Sequence, residues 1–195
     1  MPVRHRRDKE LWMPNPGRTC LLLHGWQGAP GHMEPLGRYL HQMGLAVWIP
    51  VVGDELETGD WECRLDSLQI PPVVIGFSRG GLVALDLALR RELRGVITIN
   101  APLEFYEEEN VPVRWLEELR RIKDSLSKVT VPALIVQAED DKVVPPNGGK
   151  RIYEAIGSRC KHYWSCQGDH MIILKAGREE LFARVGQFLR DVEEC

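Results

Sequence analysis

At 195 residues the chain is long enough for one domain with a substantial core and a buried cleft. A composition of 44% hydrophobic and 27% charged residues is that of an ordinary soluble globular protein, and a net charge of −3 gives no electrostatic footprint for nucleic acid or for an anionic membrane. No run reaches transmembrane length and the basic N-terminus lacks the apolar core of a signal peptide; with an odd count of 5 cysteines arguing against a disulfide framework, the expected setting is cytoplasmic.

The first elements follow from periodicity and punctuation. Glu10 to Met13 reads as a short edge strand before the Pro14-Asn15-Pro16-Gly17 turn, and Thr19 to Leu23 as the first buried strand. His24-Gly25-Trp26-Gln27-Gly28 follows as a loop open to close backbone approach. Met33 to Met43 then has Leu36, Leu40 and Met43 on one face of a helix. After Gly44, suited to a helix C-cap, Leu45 to Val52 reads as a strand, Gly53 to Asp60 as an acidic loop and Trp61 to Leu68 as a short helix.

The stretch from Pro71 to Arg91 is the most informative. Val73, Val74, Ile75 and Phe77 read as a buried strand, and Leu82 to Leu89 as a largely buried helix, with Gly76-Phe77-Ser78-Arg79-Gly80 at the corner. A serine on a sharp strand-to-helix turn projects from the backbone, with a helix N-terminus behind it that favours developing negative charge. The flanking glycines let strand and helix approach. The bland alternative is a Gly-rich turn whose serine caps the helix. A phosphate-binding loop is set aside, because the Lys-Ser/Thr pair is missing.

Beyond the corner, Gly95 to Asn100 reads as a strand, and 103–129 as a charged insertion with Phe105, Tyr106 and Trp115 and a helical pattern from Val113 to Leu126. Those aromatics either line a pocket or pack the insertion onto the core, and Glu107-Glu108-Glu109 is a solvated face. Pro132 to Gln137, Gly148 to Ile156, Lys161 to Ser165 and Glu179 to Val192 continue the alternation as strand, helix, strand and helix. Alternating strands and helices imply an α/β fold with a mostly parallel, doubly wound sheet.

In such a sheet the loops after the strands share one edge. Three of these loops carry Ser78, then Asp140 and Asp141, then His170. A free hydroxyl is a poor nucleophile near neutral pH, so Ser78 needs a base; His170 can take its proton, and an acid can hold the imidazole in the right tautomer. Backbone N–H groups of Trp26 and Arg79 are the expected oxyanion donors. His24 reads as support for its loop. Cys160, His162, Cys166 and His170 suggest zinc only if 161–165 were helical, and it reads as a strand, so no metal is expected.

HGWQG at His24 to Gly28, GFSRGG at Gly76 to Gly81, NAP at Asn100 to Pro102, QAEDDKVVPP at Gln137 to Pro146 and GDHMII at Gly168 to Ile173 together resemble the serine hydrolases of the α/β-hydrolase fold. The resemblance is to small bacterial carboxylesterases and the related monoacylglycerol lipases, over about Cys20 to Leu189. It implies Asp141 rather than Asp140 as the acid, ester hydrolysis through an acyl-enzyme, and no cofactor. The cap, at 103–129 within a single domain spanning 1–195, is shorter than such esterases carry, and Gly53-Asp54-Glu55 stands where relatives often have a G-H-G-type loop. The expected substrate is a small ester with a short or medium acyl chain, with no nucleic-acid partner and no membrane insertion. A monoacylglycerol lipase, a thioesterase and a non-catalytic binding protein on the same fold are the alternatives.

Overall fold

The computed structural model describes residues 9–53, 60–106, 111–175 and 177–192. Most of the acidic loop expected at Gly53 to Asp60 and the Glu107-Glu108-Glu109 run lie outside them. The strands are β1 (Leu11–Met13), β2 (Thr19–Leu23), β3 (Ala46–Ile49), β4 (Val73–Phe77), β5 (Gly95–Ile99), β6 (Ala133–Ala138) and β7 (Lys161–Cys166). The helices are α1 (Pro30–Gln42), α2 (Asp60–Leu65), α3 (Arg79–Arg90), α4 (Val113–Ser125), α5 (Asn147–Ala155) and α6 (Arg178–Asp191). The elements expected from the sequence all form, with shifted ends. β3 stops at Ile49 because Pro50, which has no N–H to donate, follows it.

The sheet runs β1-β3-β2-β4-β5-β6-β7, parallel except for β1, which pairs antiparallel with β3 at one edge. The chain winds outward from β2 to β3, then crosses back to β4 and continues the other way. β2 and β4 therefore flank the switch point of the sheet, where the loops after them diverge and leave a crevice. This topology puts His24 to Gly28 beside Ser78.

Alternation along each strand divides the apolar side chains between two layers. Leu21, Leu23, Val74, Val96 and Ile135 face α3, α4 and α5. Leu22, Val47, Ile75, Ile97 and Val136 face α1 and α6. Each such side chain, fully buried, contributes about 1.5–3 kcal/mol relative to exposure. The helical part of the expected insertion is α4, whose Leu119 and Ile122 enter the first layer. Asp86, inside the apolar α3, receives Arg90 and Arg121 in a pair of ion bridges at 2.7 and 2.5 Å.

Cys20 and Cys166 are core residues. Burial pushes the Cys20 thiol up to about 12, and burial together with Glu180 and Glu139 pushes Cys166 up to about 11, so both stay protonated at neutral pH. Cys20, Cys63 and Cys166 are free, but Cys160 is disulfide-bonded. This corrects the reading of the odd cysteine count, which leaves room for a bridge beside unpaired thiols. Among the described residues, no helix is long and apolar enough to cross a membrane.

Candidate active site

The corner at Ser78 is built by close approach. Replacing Gly76 with any larger residue would bring its Cβ to 2.1 Å from the Gly80 carbonyl oxygen, and a Cβ on Gly80 would lie 2.2 Å from that of Leu23. Both positions are closed to side chains, because backbone occupies the space. Ser78 itself has φ 53 and ψ −125, a strained conformation held by its N–H donating to the Ile99 carbonyl at 2.8 Å. Strain at this residue aims its side chain away from the sheet.

Ser78 sits at the N-cap position of α3 but makes no side-chain capping bond. Its Oγ is instead 2.9 Å from His170 Nε2. That geometry decides against the bland reading of the motif. On the far side of the ring, His170 Nδ1 lies 2.7 Å from Asp141 Oδ2. A carboxylate only accepts, so Nδ1 carries the proton of the neutral ring and Nε2 presents a lone pair to the serine hydroxyl.

Asp141 is 1% exposed, and its other oxygen accepts the N–H groups of Val143 at 2.8 Å and Val144 at 2.9 Å. All of its hydrogen-bonding directions converge on one rotamer. Asp140, by contrast, points to solvent, with its backbone N–H donated to the Gly168 carbonyl. Of the two neighbouring carboxylates, it is Asp141 that meets the imidazole. Asp169, beside His170, is paired with Lys175, and that bond lowers its carboxyl below the usual range.

The loop after β2 passes directly over the serine, where a Cβ on Gly25 would lie 3.1 Å from that of Ser78. His24 fixes this loop: its Nδ1 donates to the Gly25 carbonyl at 2.9 Å, and its Nε2 accepts the Val52 N–H at 3.0 Å. Arg79 is buried at the start of α3, donating from Nη1 to the Gly53 carbonyl at 2.7 Å, with its guanidinium 4.9 Å from the Trp115 ring centre. On α4, burial raises the Glu118 carboxyl despite the opposing pull of Arg79 and Arg121.

A cavity of about 70 Å³ opens at Ser78, walled chiefly by Trp26, Leu82, Phe105, Trp115 and Val144. Trp26 and Trp115 meet edge to face at 5.3 Å. Phe105 and Trp115 thus line the pocket, whereas Tyr106 is 58% exposed and does not. No pattern in the sequence marks Val144, which lines the pocket and donates its N–H to Asp141.

Most of the chain superposes on solved structures. A metagenome-derived lipolytic enzyme matches with a TM-score of 0.82 at 23% identity, over 95% of this chain and 98% of that one. The monoacylglycerol lipase of Paleococcus ferrophilus matches at 0.81 and 16%, over 94% and 98%. The fold is the α/β-hydrolase fold.

Within that fold the likeness is to esterases and lipases. Among curated proteins, a Bacillus subtilis carboxylesterase is 22% identical over 90% of this chain and 94% of its own length. A thermostable monoacylglycerol lipase from Bacillus sp. is 24% identical over 71% of this chain and 76% of its own. A family model described as serine aminopeptidase, S33, matches residues 104–174, which hold Asp141 and His170 but stop short of the Ser78 corner.

Proposed function

We propose that the protein is a serine carboxylesterase, hydrolysing esters of short and medium acyl chains, with Ser78 as nucleophile, His170 as base and acid, and Asp141 as the orienting carboxylate. The observation that carries this reading is the unbroken line from Ser78 Oγ through the ring of His170 to Asp141, at 2.9 and 2.7 Å. Ser78 Oγ attacks the ester carbonyl as His170 Nε2 takes the hydroxyl proton. The tetrahedral oxyanion is met by the backbone N–H groups of Trp26 and Arg79, and collapse expels the alcohol with the proton returned from His170. Water, deprotonated by the same nitrogen, then attacks the acyl-enzyme and releases the carboxylic acid, restoring the serine.

The small cavity and the aromatic pair at its mouth support short acyl chains. A monoacylglycerol lipase or thioesterase would use the same side chains on another leaving group.

Two measurements test the proposal. A fluorophosphonate should label Ser78 alone by peptide mapping, and Ser78→Ala should stay folded while kcat falls by about 10⁴-fold or more. Labelling elsewhere, or none, defeats the assignment. With p-nitrophenyl esters from acetate to palmitate, kcat/KM should climb while each methylene still finds apolar wall, worth ~0.8 kcal/mol, and then fall, with no jump as emulsion forms. A maximum at palmitate would move the protein to the lipases.

A further inference from the structure

Asn100 follows β5 directly, is 0% exposed and has φ 50, a left-handed conformation that asparagine tolerates better than most side chains. Register explains its position. Phe77 lies opposite Ile99 and Ile99 opposite Val136, so Ser78, Asn100 and Gln137 come next on three adjacent strands. The Asn100 backbone N–H continues the ladder to the Val136 carbonyl at 3.0 Å, and the preceding carbonyl, that of Ile99, holds the Ser78 N–H.

The side chain does something different. Its Nδ2 donates to the backbone carbonyl of His170 at 2.9 Å and, more weakly, to that of Asp169 at 3.4 Å. Its Oδ1 accepts the Ala138 N–H at 2.8 Å, three residues before Asp141, with Gln137 Nε2 at 3.5 Å. One end of the amide meets carbonyls and the other meets N–H donors, so only one orientation satisfies both. Ladder bonds from Glu139 N–H to Cys166 and from Asp140 N–H to Gly168 join the acid and base loops to each other. The amide of Asn100 joins both loops to β5, whose Ile99 carbonyl holds the Ser78 N–H.

We propose that Asn100 is a positioning residue for catalysis, its carboxamide setting His170 and Asp141 relative to Ser78 through the backbone of their two loops. This rests on the reading of those three residues as a working triad. The sequence marks the residue only as part of a motif, since neither its type nor its spacing reveals a partner 70 positions away. Positioning of this kind acts on the reaction and not on substrate capture, because no atom of Asn100 is among those lining the cavity.

The test separates placement from stability. Asn100→Gly keeps the left-handed backbone and deletes all of these side-chain bonds. Asn100→Asp keeps an acceptor for Ala138 and puts an oxygen where Nδ2 donates, and it carries the same test if the glycine variant is too unstable to assay. In either variant kcat on p-nitrophenyl acetate should fall by about 10–100-fold with KM within about threefold, and fluorophosphonate labelling of Ser78 should slow to match. Ile97→Val, buried on the same strand and away from the cavity, is the stability control and should keep kcat within about threefold. An unchanged kcat in the Asn100 variants, or an equal loss in Ile97→Val, overturns the proposal. Failure of wild-type Ser78 to label, or full activity in Ser78→Ala, would instead overturn the triad on which it rests.

Discussion

Two buried imidazoles stand at the switch point of this sheet, and they are bonded in nearly the same way. His24, after β2, donates from Nδ1 to a carbonyl and accepts at Nε2 from the backbone N–H of Val52. His170, after β7, donates from Nδ1 to a carboxylate and faces a serine hydroxyl at Nε2. Both neutral rings carry their proton on the same nitrogen. The difference lies in the partner. An amide N–H keeps its proton, so His24 can only hold two loops together. A hydroxyl can give its proton up, and a carboxylate stabilises the imidazolium that results, so His170 can do chemistry. A buried histidine at a strand end is thus uninformative until both of its neighbours are known.

The largest effect should come from removing what distinguishes His170. Asp141→Asn presents the ring with an amide that can donate, which favours the wrong tautomer, and kcat should fall by about 10⁴-fold. The measurement is kcat on a soluble ester, with circular dichroism to show that the fold is retained. A loss below about tenfold would mean that the carboxylate is not needed to hold the ring.

The corresponding change on the other imidazole should be of a different kind. His24→Ala leaves the Val52 N–H unpaired in a buried site, at about 1–3 kcal/mol, while the Gly25 carbonyl keeps the Gly28 N–H at 3.1 Å. In a domain of this size that lowers Tm by several degrees, at about 2–4 °C per kcal/mol. Activity should drop by only about tenfold, through loosening of the loop that carries the Trp26 N–H. If His24→Ala abolished turnover with Tm unchanged, the roles given to the two rings would have to be exchanged.

Much of this arrangement was legible in the sequence because it depends on local patterns. The corner at Ser78 announces itself through Gly76 and Gly80, whose close contacts forbid side chains, and through the change from strand to helix on either side. The alternation of elements gave the parallel sheet, and with it the common edge for three loops. What was not legible depends on contacts distant in the chain. The bridging of two loops by Asn100, the capture of Asp86 by Arg121 and the edge-to-face contact of Trp26 with Trp115 each need strand order and register, which no local pattern encodes. The bridge at Cys160 was missed for a different reason, since a count of cysteines says nothing about which are near one another.

The smallest effect should fall on the nearest neighbour of the acid, where the same contrast between bonded and unbonded partners repeats over one residue. Asp140 and Asp141 differ by a single step along the chain, yet the turn after β6 sends one carboxylate into solvent and the other to His170. Asp140 contributes through its backbone, which Asp140→Asn leaves in place, with the N–H still donated to the Gly168 carbonyl. The substitution removes one exposed charge, whose field on the ring is weakened by water and salt. We therefore expect kcat and KM each within about threefold of wild type, and a smaller change still at 0.5 M salt, where the Debye length is only a few ångström. A loss near that of Asp141→Asn, persisting at high salt, would mean that Asp140 and not Asp141 orients the imidazole in the working enzyme.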